Sequence, residues 1–136
     1  MKEIKGNQTV YLEDYDVTVN KYLTYAQIQQ IANAVVAASA NDSDDTWANR
    51  QTNIDMLVLY HVTDIGKEKL EEIGHDDLLT SGLIEAVRYS IENLYEINDA
   101  IDYIENNQRA INKMLKSLPK VLEETKGLQD LMKKHD

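Results

Sequence analysis

One hundred and thirty-six residues suffice for one hydrophobic core and fall short of two, since domains cluster near ~100–150 residues. The apolar share of 43% and charged share of 28% are those of a globular chain, far from disordered or membrane compositions. A net charge of −10, from 24 acidic and 14 basic side chains, opposes sequence-independent binding to nucleic acid, and the lack of cysteine excludes disulfides, thiolate nucleophiles and cysteine-rich metal sites.

Lys2 and Lys5 are not followed by an apolar stretch, so the N-terminus does not read as a signal peptide. The longest apolar run, Ile54 to Val62 interrupted by Asp55 and His61, is far below the ~20 residues that span a bilayer. The expectation is a soluble chain, not exported by a cleaved signal. Residues 9–22 are rich in β-branched and aromatic side chains and alternate at Tyr15, Val17 and Val19, which predicts a short N-terminal β segment. It could form a hairpin turning near Glu13-Asp14, although that dipeptide lacks the glycine or asparagine that two-residue turns favour. A lone hairpin is marginal in water, so this one needs the helices or a partner chain to hold it.

Thr24 and Gln27 have capping-box spacing, and Leu23 with Ile28 has that of a hydrophobic staple. Ile28, Ile31, Ala32, Val35 and Val36 continue as one apolar stripe, predicting a helix over about Tyr25 to Ala38. An acidic loop, residues 40–45, supplies N-caps for a second helix from about Trp47 to Val62. A short helix over Lys67 to Ile73 stops at Gly74, and a turn over Asp76 to Thr80 leads to Ser81-Gly82.

From Leu83 to Leu118 there is neither proline nor glycine, and apolar residues recur at three- and four-residue steps through Ile84, Val87, Ile91, Leu94, Ile97, Ile101, Ile104, Ile111 and Leu115. The missing rung is Gln108, and the two successive three-residue steps through Leu94 are a stammer-like irregularity. A straight helix of this length would reach ~50 Å, against a radius of gyration of ~14 Å for a globule of this size. The segment must therefore protrude, bend or break. Asn106-Asn107-Gln108 is the expected break, giving a helical hairpin; the alternative is one long helix pairing with another chain. Pro119 is expected to kink the chain or start a new helix. The fold class is thus mainly α, a single-domain helical bundle with an N-terminal β segment (1–22), a helical core (23–81) and a long C-terminal helix or helical hairpin (82–136).

Chemistry is thinly represented. His61, His75 and His135 lie in three different elements without metal-ligand spacing and read as solvated or core-edge side chains. His61 with Asp64 could form a base–orienter pair, but no nucleophile is tied to it by spacing. Asp42, Ser43, Asp44 and Asp45 begin like an EF-hand loop, which then fails at Trp47 where glycine belongs and at Asn53 where glutamate belongs. The five glycines form no phosphate cradle, and Glu71-Glu72 and Asp76-Asp77 are sequence neighbours that do not face each other on a helix. No catalytic residue, cofactor, metal or small-molecule substrate is expected.

The remaining signals concern binding. Acidic residues Glu85, Glu92, Glu96, Asp99, Asp102 and Glu105 come with only Arg88, whereas residues 106–136 hold seven basic residues against four acids. Such polarity suits a docking surface for a basic partner or another copy, although a solvated helix face accounts for it as well. Tyrosines suit interfaces by joining apolar area to a polar tip, and in a chain without phenylalanine they equally suit a core. The interface candidates are Tyr11, Tyr15, Val17, Val19, Glu92, Glu96, Asp99, Tyr103, Leu115 and Leu122.

Three stretches, Val19-Asn-Lys-Tyr-Leu-Thr-Tyr-Ala-Gln-Ile, Leu57-Val-Leu-Tyr-His-Val-Thr-Asp-Ile and Asp77-Leu-Leu-Thr-Ser-Gly-Leu-Ile-Glu-Ala-Val, give the chain a pattern that resembles small acidic proteins of tailed phages and prophages of Gram-positive and gut bacteria. The resemblance covers roughly residues 17–118 and leaves out the tail after Pro119. It implies a non-enzymatic structural or assembly role in the virion, in head, neck or tail, with other phage proteins or copies of the chain as partners. The location would be the virion or the host cytoplasm. An exposed strand added to a partner's sheet, or an apolar helix face in a groove, would make the contacts. The alternative is a phage-encoded inhibitor whose acidic surface occupies a basic, nucleic-acid-facing site on a host defence or transcription protein.

Overall fold

A computed structural model describes the backbone of residues 1–41 and 47–134 and the side chains of residues 1–40 and 47–117. The described chain is mainly helical, with strands β1 (Thr9–Leu12) and β2 (Val17–Asn20) followed by helices α1 (Tyr25–Asn41), α2 (Trp47–Val62), α3 (Lys67–Ile73), α4 (His75–Thr80), α5 (Leu83–Ser90) and α6 (Tyr95–Lys134). It divides into two compact units, Met1–Ile101 and Asp102–Asp136. The loop expected to cap α2, and the partial EF-hand pattern in it, lie outside the described residues.

β1 and β2 pair antiparallel, with Thr9 opposite Asn20 and Leu12 opposite Val17. The hairpin expected in the sequence is present, but its connection is four residues long. A 3-10 turn over Glu13–Tyr15 is closed by Asp16 in the left-handed conformation, φ 53° and ψ 49°. Aspartate tolerates that region better than most residues, so the hairpin closes without glycine. Tyr15 therefore belongs to the turn and not to the alternating strand. β2 is then held by the helices: Val19 bridges Thr63, and the Thr18 N–H donates to Asp64 Oδ1 at 3.0 Å.

The capping box forms in both directions. Gln27 N–H donates to Thr24 Oγ1 at 3.1 Å, and Thr24 N–H donates to Gln27 Oε1 at 3.0 Å. Leu23 and Ile28 are both buried, as is the whole α1 stripe from Ile31 to Val36. The helix runs on to Asn41, past the expected end at Ala38. α2 and α3 have their expected bounds, and α4 starts one residue earlier than the turn foreseen there, at His75. Gly74 ends α3 at φ 84°, its N–H donating to the Leu70 carbonyl at 3.0 Å. Only Val58, Leu59 and Val62 of the apolar end of α2 are fully buried alongside Asp55.

The C-terminal region departs from expectation in where it breaks. The chain leaves helix at 91–94, on the irregular three-residue steps, and α6 then runs through Asn106-Asn107-Gln108 and Pro119 without interruption. The hairpin expected at 106–108 does not form, and no new helix starts at Pro119. Asparagine is only a weak helix breaker, and one missing donor is a local loss in a helix of 40 residues. The break at 91–94 is built instead by tertiary bonds. Glu92 N–H donates to the Lys21 carbonyl at 2.7 Å. Asn93 accepts the Leu23 N–H at 2.8 Å and returns a bond to the Leu23 carbonyl at 2.9 Å. Its Nδ2 also donates to Glu96 Oε2 at 2.8 Å, in the first turn of α6. Ile91 within the break and Ile97 and Ile101 after it are buried in the core of the first unit.

Candidate functional site

The first unit holds one buried charge among its described residues, Asp55, which is 4% exposed in the apolar half of α2. A carboxylate removed from water needs partners for its lone pairs, and three elements supply them. From α5, Arg88 Nε and Nη2 donate to Oδ1 at 3.0 and 2.6 Å, and Nη2 also reaches Oδ2 at 2.6 Å. From α4, His75 Nε2 lies 3.0 Å from Oδ2; because a carboxylate only accepts, Nε2 carries the hydrogen. One turn back on α2, Gln51 Nε2 donates to Oδ1 at 3.0 Å. Asp55 thus joins α2, α4 and α5 in one network, and none of the buried side-chain polar atoms described lacks a partner.

This network floors a cavity of about 520 Å³, lined largely by apolar side chains, Trp47, Leu79 and Leu94 among them, together with Asn98. Such a cavity can hold a small molecule or a partner's side chain, with Arg88 and His75 at its polar side. Asp55 is met by donors from Gln51, His75 and Arg88, and the hydroxyl in the lining, that of Thr52, donates to the Ala48 carbonyl at 2.9 Å. No group of three or more metal-ligating side chains occurs among the described residues.

His61 and Asp64 serve other ends than the pair considered from sequence. Asp64 accepts from Thr18, while the His61 carbonyl accepts from Gln27 Nε2 at 3.2 Å and its ring meets that of Tyr60 edge-on. Burial lowers the His61 pKa below the usual imidazole value.

The ten interface candidates are scattered. Val17 and Val19 are buried in the first unit, so they are core residues and offer nothing to a partner. Tyr15 is half-buried, and its hydroxyl donates to the Ser81 carbonyl at 2.8 Å, beside Gly82, whose φ of 86° leaves room where a Cβ would come within 2.9 Å of that hydroxyl. Tyr11 is exposed, and donates to Asp16 Oδ1 at 2.5 Å; that bond, ahead of burial and the nearby carboxylate charge, raises its pKa. Glu92 lies in the α5–α6 junction, Glu96 is half-buried against Asn93, and Asp99 is exposed, so the three do not form one helix face. Tyr103 and Leu115 are exposed on α6, and the side chain of Leu122 lies outside the described residues.

The bonding roles of Asp55, His75, Arg88 and Asn93 escaped the sequence reading, which placed His75 only as a solvated or core-edge side chain. A charge inside the run from Ile54 to Val62 was the available signal for Asp55; its partners, 20 and 33 residues away, carried none. Among the described residues no helix is long and apolar enough to cross a membrane. No protein-family model, curated protein or solved structure matches the chain.

Proposed function

We propose that the chain is a non-enzymatic assembly component of a tailed-phage particle, acting through protein–protein contacts made by α6 beyond Ile101. One observation supports the contact: Ile111, Met114 and Leu115 are 54%, 70% and 54% exposed along a single helix, with Tyr103 exposed two residues past Ile101. Burying apolar surface is worth roughly 25 cal/mol per Å², so such a stripe is a standing drive to associate. The particle role rests on the resemblance carried by the three sequence stretches quoted above. Mass spectrometry of purified particles and assembly intermediates tests it. The chain is expected in one or both, and absence from both overturns the role. Ile111→Asp with Leu115→Asp is expected to abolish its incorporation.

A second reading is favoured by charge. The first unit carries 18 acidic against 7 basic residues, a net of −11. Such a surface suits an inhibitor seated on a basic, nucleic-acid-facing site of a host enzyme. Reversing the exposed Glu92 and Asp99 weakens capture of that enzyme under the second reading and leaves incorporation untouched under the first.

A further inference from the structure

Beyond Ile101 a strict alternation of three- and four-residue steps runs along α6, apolar at every rung to Leu122 except Gln108. Ile104, Ile111 and Leu118 fall at the d positions of a heptad repeat, and Gln108, Leu115 and Leu122 at the a positions. The repeat is already in phase at Leu94, where the α5–α6 break absorbs the irregular steps before it. Met114 at g widens the stripe beyond a and d, while a period of 3.5 residues keeps it facing a second helix over many turns. Ile111 and Leu115 are both more than half exposed, so the seam is uncovered at these two rungs.

Charge placement identifies the partner. Arg109, Lys113 and Lys116 occupy b and f positions, away from the seam. Of the flanking e and g positions between 105 and 117, Asn107, Asn112 and Met114 are neutral and only Glu105 is charged. A partner chosen by charge would require charged flanks; neutral flanks let identical helices meet without like charges in contact. Gln108 sets the direction. In a parallel, in-register pairing a faces a, so the Gln108 amide meets its own copy and can be satisfied. In an antiparallel pairing a faces d, and the amide is buried against isoleucine or leucine with no partner.

We infer that residues 104–122 form the seam of a parallel, in-register coiled coil between copies of this chain. The inference rests on the assembly reading above and names the partner that α6 meets. Leucine at a with isoleucine at d favours three or four strands over two. The first units, each with a net charge of −11, repel one another, and salt screens that repulsion with a length of ~8 Å at physiological ionic strength. Association therefore strengthens as salt rises. Docking of the basic end of α6 on an acidic first unit would weaken instead.

Light scattering on the full chain at high concentration should give a mass of three or four times 15.6 kDa, with the assembled fraction growing with salt. Ile111→Asp with Leu115→Asp should return it to a monomer that keeps the thermal transition of the first unit, whereas Lys113→Glu, on the outer face, should leave the mass unchanged. Because the chain has no cysteine, Gln108→Cys reports direction: oxidation should link copies through that position. A wild-type monomer at every salt concentration overturns self-association. The assembly reading would still stand in that case if the paired aspartate variant were lost from particles. An oligomer untouched by the two aspartates overturns the seam, one that loosens with salt overturns it in favour of docking on the acidic unit, and one that forms no Gln108→Cys cross-link overturns the parallel arrangement.

Discussion

Removing one partner of the Asp55–Arg88 pair leaves a charge where water does not reach, and half-pairs of this kind cost about 3–5 kcal/mol. Arg88 is 36% exposed, so solvent screens part of its interaction and the lower end of that range applies. Arg88→Met is expected to lower the unfolding free energy in urea by about 3 kcal/mol, whereas Asp55→Leu combined with Arg88→Met, which removes both charges, should recover most of the loss. The near-equality of single and double variants would show that the network contributes through something other than the pair. His61 gives a pH signature of opposite origin. Burial lowers its pKa in the folded chain, so below about pH 6.5 the unfolded chain binds the proton more readily. Its contribution is intact above that pH and is lost as pH falls toward the lowered folded value. His61→Gln should flatten the fall in melting temperature on acidification below about pH 6.5, as read by calorimetry.

At the level of elements, the α5–α6 junction turns on Asn93, which satisfies both backbone groups of Leu23 and the first turn of α6. Asn93→Ala leaves the part-buried Leu23 N–H and carbonyl without these partners and should cost about 1–3 kcal/mol in a denaturant titration. The variant should leave α1 intact, because its capping box is made by Thr24 and Gln27 alone. This contrast also shows what could be read from sequence. α1, α2 and α3 were legible because their stripes and stops, and for α1 its capping box, lie within a few residues of one another. The break at 91–94 was visible only as a stammer, since its cause is a backbone segment 70 residues earlier. Asn106-Asn107-Gln108 looked like the better break by composition, but among the described residues no distant group is bonded to its backbone, and α6 runs on through it. The Asp55 network was illegible for the same reason as the junction: its donors come from separate helices, and spacing carries no trace of them.

For the whole molecule, charge and burial divide in the same way. Residues 1–101 hold the buried core and a net of −11, while residues 102–136 hold seven basic and six acidic side chains and, where side chains are described, no buried residue. Helices without tertiary cover open locally at little cost, whereas core amides exchange only through global unfolding. In the Ile111→Asp, Leu115→Asp variant, amides of residues 103–117 should exchange orders of magnitude faster than those of Val58 to Val62, as measured by hydrogen exchange. Equal protection in the two regions would mean that α6 is covered without help from its apolar stripe. The bonds from Lys21 and Leu23 to Glu92 and Asn93 also define how the first unit bears a load. Tension entering at the first turn of α6 passes across these bonds to the segment before α1, bypassing the roughly seventy residues between them. In a pulling experiment between the N-terminus and the start of α6, rupture of this short hydrogen-bonded clasp is the expected first event.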